Sequence, residues 1–312
     1  MDIQYLLWLQ ELRGATGGLF DEFFNALSKF AVEILPFLPF VIFWGVDKKW
    51  GYIFMINQWF SEVINGLIKL TVCAYRPWIR SDLIEPAGDS KVAATGYSFP
   101  SGHTKTATTV YGSIIEWQKD NRKKICILCG VLILLTGFSR NFLGVHTPQD
   151  VLVAMIESII IICAVAAVYK KVEGNEKVID ILTLVGLIFI VVSLIYVHFK
   201  SYPMDYDASG NLLVDPQKMM NDFFKACGAF VGFLVGSFIE RHYVHYEIPV
   251  GSKNLPLLVS IGFALTFAWK EWFAPATVVA AFGSHWGHFI ARFIMIAFVM
   301  CIWPIVIKRE SN

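Results

Sequence analysis

The sequence predicts an all-α fold, a polytopic bundle of about nine transmembrane helices with little chain left over for a soluble domain. Three observations carry this prediction. The residues AVILMFWYC make up 56% of the 312-residue chain and charged residues only 16%, and the mean hydropathy is +0.56. Exchanging the 11 Tyr for the 23 Gly raises the apolar share to about 60%, against about 45–50% in soluble domains. Apolar runs near 24–46, 51–73, 101–118, 125–143, 149–169, 178–199, 221–240, 256–273 and 286–307 each reach or approach the ~20 residues that cross ~30 Å of hydrocarbon. Basic residues, finally, collect in every second loop.

The elements follow in order. Residues 1–23 read as an interfacial amphipathic segment, with Ile3, Leu6, Leu7 and Trp8 on a short helix. Asp2 and Glu11, with no basic leader and no small-residue cleavage site, argue against a removable signal. Residues 24–170 form a core that contains all the concentrated polar motifs, and 171–312 add helices of unassigned role. Lys48, Lys49, Lys119, Arg122, Lys123, Lys124, Lys170, Lys171, Lys177, Arg241, Lys253, Lys308 and Arg309 mark one set of loops as cytoplasmic. The segment Trp78–Phe99 and the acidic stretch Tyr202–Gln217, with Asp205, Asp207 and Asp215, then face outward. A net charge of +1 and a pI near 7.6 provide no basic field, so no nucleic-acid partner is expected. Cys126 and Cys129 form a CxxC inside an apolar run without further ligands, which reads as two buried thiols.

Polar residues that a lipid-facing helix would not tolerate gather at the outer ends of spans two to five. Lys69 is followed after six residues by Arg76 and Pro77. Pro100-Ser101-Gly102-His103 opens the third span. Ser139-Arg140, five residues, His146, three residues and Asp150 join the fourth and fifth. These three stretches, K-x6-RP, PSGH and SR-x5-H-x3-D, resemble the signature motifs of the type-2 phosphatidic acid phosphatase superfamily, and all eleven specified positions are filled in order. The resemblance covers about residues 50–170. It implies a phosphatidic-acid-phosphatase-type core and a metal-independent hydrolase that passes through a phosphohistidine at His146.

The same residues make chemical sense one by one. Phosphoryl transfer needs positive charge around three oxygens, an in-line nucleophile and a proton for the leaving oxygen. Lys69, Arg76 and Arg140 supply charge, the arginines as planar forks. Ser101 and Gly102 would present free backbone N–H groups at a helix start. Thr147 and Pro148 read as an N-cap and first-turn proline, which sets Asp150 beside His146. His146 is then the nucleophile, Asp150 its orienting carboxylate, and His103 the acid that protonates the leaving group and later the base for water. Clustered carboxylates of the kind that hold metal are missing from the motifs, so neither metal nor cofactor is expected.

Other polar residues carry two readings each. Glu157 sits two turns below Asp150 and either supports the site or makes a structural hydrogen bond; Glu33 and Glu62 also fall within spans. Lys105 either touches a headgroup or snorkels to the interface. His285 and His288 have metal-like spacing but no third ligand, and Arg292 calls for an anionic partner. The expected substrate is a lipid phosphate or diphosphate in the membrane: phosphatidic acid, phosphatidylglycerol phosphate or a polyprenyl diphosphate. The nine-span layout also resembles glucose-6-phosphatase, so a sugar phosphatase stays open, as does a non-hydrolytic transporter or lipid-binding protein. A multi-pass protein of a bacterial cell membrane with an extracytoplasmic site is the expected setting, and the sequence carries no signal for oligomeric state.

Overall fold

The computed structural model describes residues 1–94, 96–120 and 122–310. Helices α1 (Asp2–Ala15), α2 (Asp21–Glu33), α3 (Leu38–Gly45) and α4 (Lys48–Val72) are followed by two single turns, α5 (Pro77–Arg80) and α6 (Ser90–Ala93). Then come α7 (Gly102–Gln118), α8 (Lys123–Phe142), α9 (Pro148–Val172), α10 (Glu176–Phe199), α11 (Pro216–Ile239), α12 (Leu255–Ala268), α13 (Ala280–Phe282), α14 (Ser284–Ala297) and α15 (Trp303–Glu310). Among the described residues β structure amounts to an isolated antiparallel bridge between Tyr206 and Leu212.

Among the described residues, seven helical stretches are long and apolar enough to cross a membrane: 21–45, 123–142, 148–172, 176–199, 216–244, 255–282 and 284–310. The chain is a multi-pass membrane protein. Two expected spans, α4 and α7, stand outside this set. Their polar content has a physical reason, clearest in α7, where Thr104, Lys105, Thr106, Thr108, Thr109 and Ser113 are all buried. Thr106, Thr108, Thr109 and Ser113 each donate a hydroxyl to the carbonyl four residues earlier. A helix surrounded by protein can be polar where a lipid-facing one cannot. At the other extreme is α10, whose Ile181, Leu184, Val185, Ile188, Val191 and Val192 are all more than half exposed, as suits a helix in contact with lipid tails.

The chain divides into two compact units. The first comprises Met1–Pro36, Ile64–Ile162 and Ser201–Met219. Its apolar core joins Leu6 and Leu9 of α1, Phe24 of α2, Ile84 and Ala87 of the loop after α5, Phe142 at the end of α8, and Leu143 and Val145 just after it. Polar clips hold α1 down: Asp2 pairs with Arg80 at 2.7 Å, Gln10 exchanges hydrogen bonds with Leu83 O and the Glu85 amide, and Arg13 donates to Glu85 O and Phe142 O. Helices α8 and α9 approach closely at Gly137, where a Cβ would lie 2.5 Å from Met155 Cε and 2.8 Å from Val151 Cγ1.

The second unit comprises Phe37–Val63, Cys163–Lys200 and Met220–Asn312. Its buried charge is Glu240, paired with Lys48 at 2.7 Å and hydrogen-bonded by Tyr52 and the Tyr246 amide. Trp44 donates to Val299 O and Trp303 to Leu258 O, so these two indole N–H groups are satisfied by main chain, whereas the buried Trp59 Nε1 has no hydrogen-bond partner among the described residues.

Candidate active site

The site lies entirely within the first unit. Helix α9 begins with a reciprocal cap: the Thr147 amide donates to Asp150 Oδ2 at 2.8 Å, and the Asp150 amide reaches Thr147 Oγ1 at 3.4 Å. That cap fixes Asp150, and Asp150 Oδ2 in turn lies 3.2 Å from His146 Nδ1. Ser98 donates its hydroxyl to the same oxygen and stands 3.4 Å from His146 Nδ1. On the other side of the ring, Arg76 Nη1 lies 2.8 Å from His146 Nε2. A guanidinium only donates, so Nε2 carries the lone pair and Nδ1 the proton that is given to Asp150. His146 is 1% exposed and Asp150 3%. Burial, and then the Arg76 charge, hold the His146 imidazole well below the usual histidine range, with Asp150 pulling the other way.

The cations occupy distinct positions. Arg76 donates Nε to Gly96 O at 3.1 Å and Nη1 to Val145 O at 3.0 Å, and its guanidinium lies over the Trp78 ring at 5.8 Å. Burial pulls it down to about 10, so it stays charged at neutral pH. Lys69, in the last turn of α4, donates to Tyr97 O and Pro100 O at 3.1 and 2.8 Å and so ties α4 to the loop before α7. Arg140 is 2% exposed and gives Nη1 to Ser28 Oγ of α2. Its Nε and Nη2 are buried with no hydrogen-bond partner. Two nitrogens without a partner on one buried guanidinium are the kind of donor set that an anion would satisfy.

His103 lies on the first turn of α7, in electrostatic reach of Arg140, His146, Arg76 and Lys69. The structure therefore gathers Lys69, Arg76, His103, Arg140, His146 and Asp150. Ser101 requires a correction. Its amide is not free, because it donates to Asp150 O at 3.0 Å, and its hydroxyl caps α7 by accepting from Thr104. Ser101 is fully buried and couples the helix of His103 to the helix of His146. The amides of Gly102 and His103, at the two positions after the cap, are the first-turn groups that remain for an anion.

Several contributing residues lie outside the motifs. Ser98 and Ser28 are described above, and Asn141 Nδ2 holds His146 O at 2.9 Å. Ser28 had no signal in the sequence, because only the fold brings α2 against α8. Of the residues with two readings, Glu157 Oε1 accepts from Asn65 Nδ2 at 2.7 Å, a bond between α4 and α9. Lys105 is 1% exposed, so it does not snorkel. Glu33 is exposed. Cys126 and Cys129 are unbridged. Among the described residues no group of three or more His, Cys, Asp or Glu side chains has metal-binding geometry.

The segment Ser201–Met219 packs against residues that flank the site. Tyr75 donates its hydroxyl to Asp205 Oδ2 at 2.5 Å. The Tyr97 amide meets Met219 Sδ at 3.3 Å. Gly96, at φ +76°, has Met219 Sδ only 1.9 Å from where a Cβ would be.

Fold and site together define a polytopic membrane protein with a buried histidine–carboxylate pair set among cations. Residues 50–173 match the PAP2 superfamily, and over that region the chain is similar to the type-2 phosphatidic acid phosphatases. It is 29% identical over 127 residues to phosphatidylglycerophosphatase B of Bacillus subtilis, covering 37% of this chain and 59% of that protein. It is 26% identical over 128 residues to an undecaprenyl-diphosphatase of Sulfolobus acidocaldarius, covering 40% and 59%. It is 36% identical over 102 residues to undecaprenyl-diphosphatase BcrC of Bacillus subtilis, covering 32% and 47%. The chain thus spans about half to three fifths of the length of the curated relatives it matches. No solved structure matches the chain significantly.

Proposed function

We propose that this protein hydrolyses a lipid phosphate or diphosphate by transferring the phosphoryl group to His146 and then to water. The observation that carries this reading is the line Asp150–His146–Arg76, with the half-unpaired Arg140 beside it. The Nε2 lone pair is the nucleophile. An incoming phosphate takes over the Arg76 donor that now faces Nε2, and a second oxygen pairs with Arg140 Nε and Nη2. Attack forms the N–P bond as the P–O bond to the lipid breaks, and protonated His103 gives its proton to the departing oxygen. In the second half water attacks phosphorus, His103 takes a proton from it, and the N–P bond breaks to release phosphate and restore His146. The sum is one ester or anhydride bond and one water consumed. Asp150 stabilises the charge that develops on the imidazole and keeps Nδ1 protonated throughout.

The named relatives support a lipid substrate, one being a phosphatidylglycerophosphatase and two undecaprenyl-diphosphatases. A site at the outer ends of the helices suits it as well, since the headgroup can enter while the tails stay in hydrocarbon. In this reading the site faces the extracytoplasmic side of the cell membrane. The test is phosphate release by detergent-purified protein in EDTA from phosphatidic acid, phosphatidylglycerol phosphate, undecaprenyl diphosphate and glucose 6-phosphate. Release from one of the lipids, inhibited by vanadate and lost in His146→Ala, is expected. Dependence on a divalent metal would overturn the metal-free chemistry, and preference for the sugar phosphate would overturn the lipid substrate.

A further inference from the structure

A cavity in the second unit takes no part in this chemistry. It measures about 150 Å³, and its polar wall is formed by Lys225, Trp269, Lys270, Glu271, His288 and Arg292. Arg292 lies eight residues into α14 from Ser284, about 12 Å along the axis at 1.5 Å per residue. A cation at that depth in a span needs an anion or water. Among the described residues its one hydrogen-bond contact is Met295 Sδ at 3.7 Å. Glu62, Glu271 and Asp222 act on it through space, Glu62 most strongly; Glu271 also pairs with Lys270 at 2.7 Å and Asp222 with Lys225 at 2.9 Å, and among the described residues none of the three is hydrogen-bonded to Arg292.

The backbone around the cavity is shaped for this opening. Trp269–Phe273 and Pro275–Val279 are π-helical turns, a winding that recurs at functional sites. Together they bring Trp269, Lys270, Glu271, Pro275 and Val279 to the same wall. Trp269 Nε1 donates to Ala291 O at 3.0 Å, which fixes that wall to α14. At Gly287 a Cβ would lie 2.7 Å from Val279 Cα, so the absence of a side chain there lets α14 come close.

We propose that this cavity binds the anionic headgroup of an amphiphile, with the Arg292 guanidinium as the planar fork and Lys225 and His288 at its sides. The volume is below the ~300 Å³ at the low end for pockets that enclose whole ligands. It suits a phosphate or carboxylate whose tails remain along the apolar helix faces. The inference goes beyond the phosphatase reading and does not depend on it.

The test is native mass spectrometry of the full-length protein in neutral detergent, titrated with dioctanoyl phosphatidic acid, dioctanoylglycerol or inorganic phosphate, in wild type, Arg292→Gln and Arg140→Gln. A bound phosphatidic acid whose affinity falls about tenfold or more in Arg292→Gln supports the proposal, since charge-assisted hydrogen bonds are worth that much. Should Arg292→Gln not fold, Lys225→Gln at the rim gives the same direction of change. Competition by inorganic phosphate at similar concentration keeps the anion site and assigns it to free phosphate, whereas its failure to compete assigns it to a lipid. Binding that only Arg140→Gln weakens, or binding of dioctanoylglycerol equal to that of phosphatidic acid, overturns the proposal. Loss of phosphate release in Arg140→Gln with the Arg292-dependent binding intact separates the two sites.

Discussion

At the residue scale, His146 is governed by what stands on its two nitrogens. Asp150→Asn keeps a polar group beside Nδ1 but offers an N–H as readily as an oxygen, which favours the wrong tautomer. It should lower kcat by about 10²–10⁴-fold with little change in KM, and an unchanged kcat would remove Asp150 from its orienting role. Replacing Arg140 by Lys keeps the charge and loses the fork. A fall in kcat/KM of about 10–100-fold is expected, the range for two charge-assisted hydrogen bonds partly replaced by one. His146 also couples folding to pH. The unfolded chain takes up a proton near the ordinary value of ~6.5, while the folded site resists it, so the unfolded state binds more protons just below that pH. Stability is therefore complete above about 6.5 and declines as pH falls toward the depressed folded value. Thermal unfolding of wild type against His146→Asn should show a steeper acid-side slope in wild type.

At the element scale, the decisive joints are those between helix ends. Ser101 links α7 to the start of α9 through Asp150 O, and Lys69 links α4 to the loop carbonyls at Tyr97 and Pro100. Gly96 meets both demands on a glycine, a positive φ and no room for a side chain. Gly96→Ala should destabilise the protein by about 1–3 kcal/mol through strain and overpacking. Adding Met219→Ala should recover the steric part but not the conformational part, as a double-mutant cycle of melting temperatures would show. The helix periodicity, the Thr147–Pro148 cap and the motif residues were legible in the sequence because each depends on neighbours within a few positions. Ser28 on Arg140 and Asp205 on Tyr75 were not, because each contact crosses more than a hundred residues. The free amide expected at Ser101 failed for the same reason, its acceptor being 49 positions away.

For the whole molecule, the polar content of α4 and α7 marks the helices that protein surrounds rather than lipid, and a hydropathy scan alone cannot distinguish the two surroundings. Alternating basic loops put residues 202–217 on the side opposite Lys119–Lys124. In a background without reactive native thiols, Asp207→Cys should be labelled by a membrane-impermeant thiol reagent applied to intact cells, and Asp120→Cys should not. The reverse pattern would invert the topology and place the site in the cytoplasm.

The packing of Ser201–Met219 against the flanks of the site bears on how far the family region can act as a portable module. The matched region ends at residue 173, yet Asp205 and Met219 from beyond it touch Tyr75, next to Arg76, and Tyr97, whose carbonyl Lys69 holds. A graft of residues 50–173 into a relative would carry every motif and leave this segment behind. Chimeras that exchange the 201–219 segment together with the motifs should keep their activity better than those that exchange the motifs alone.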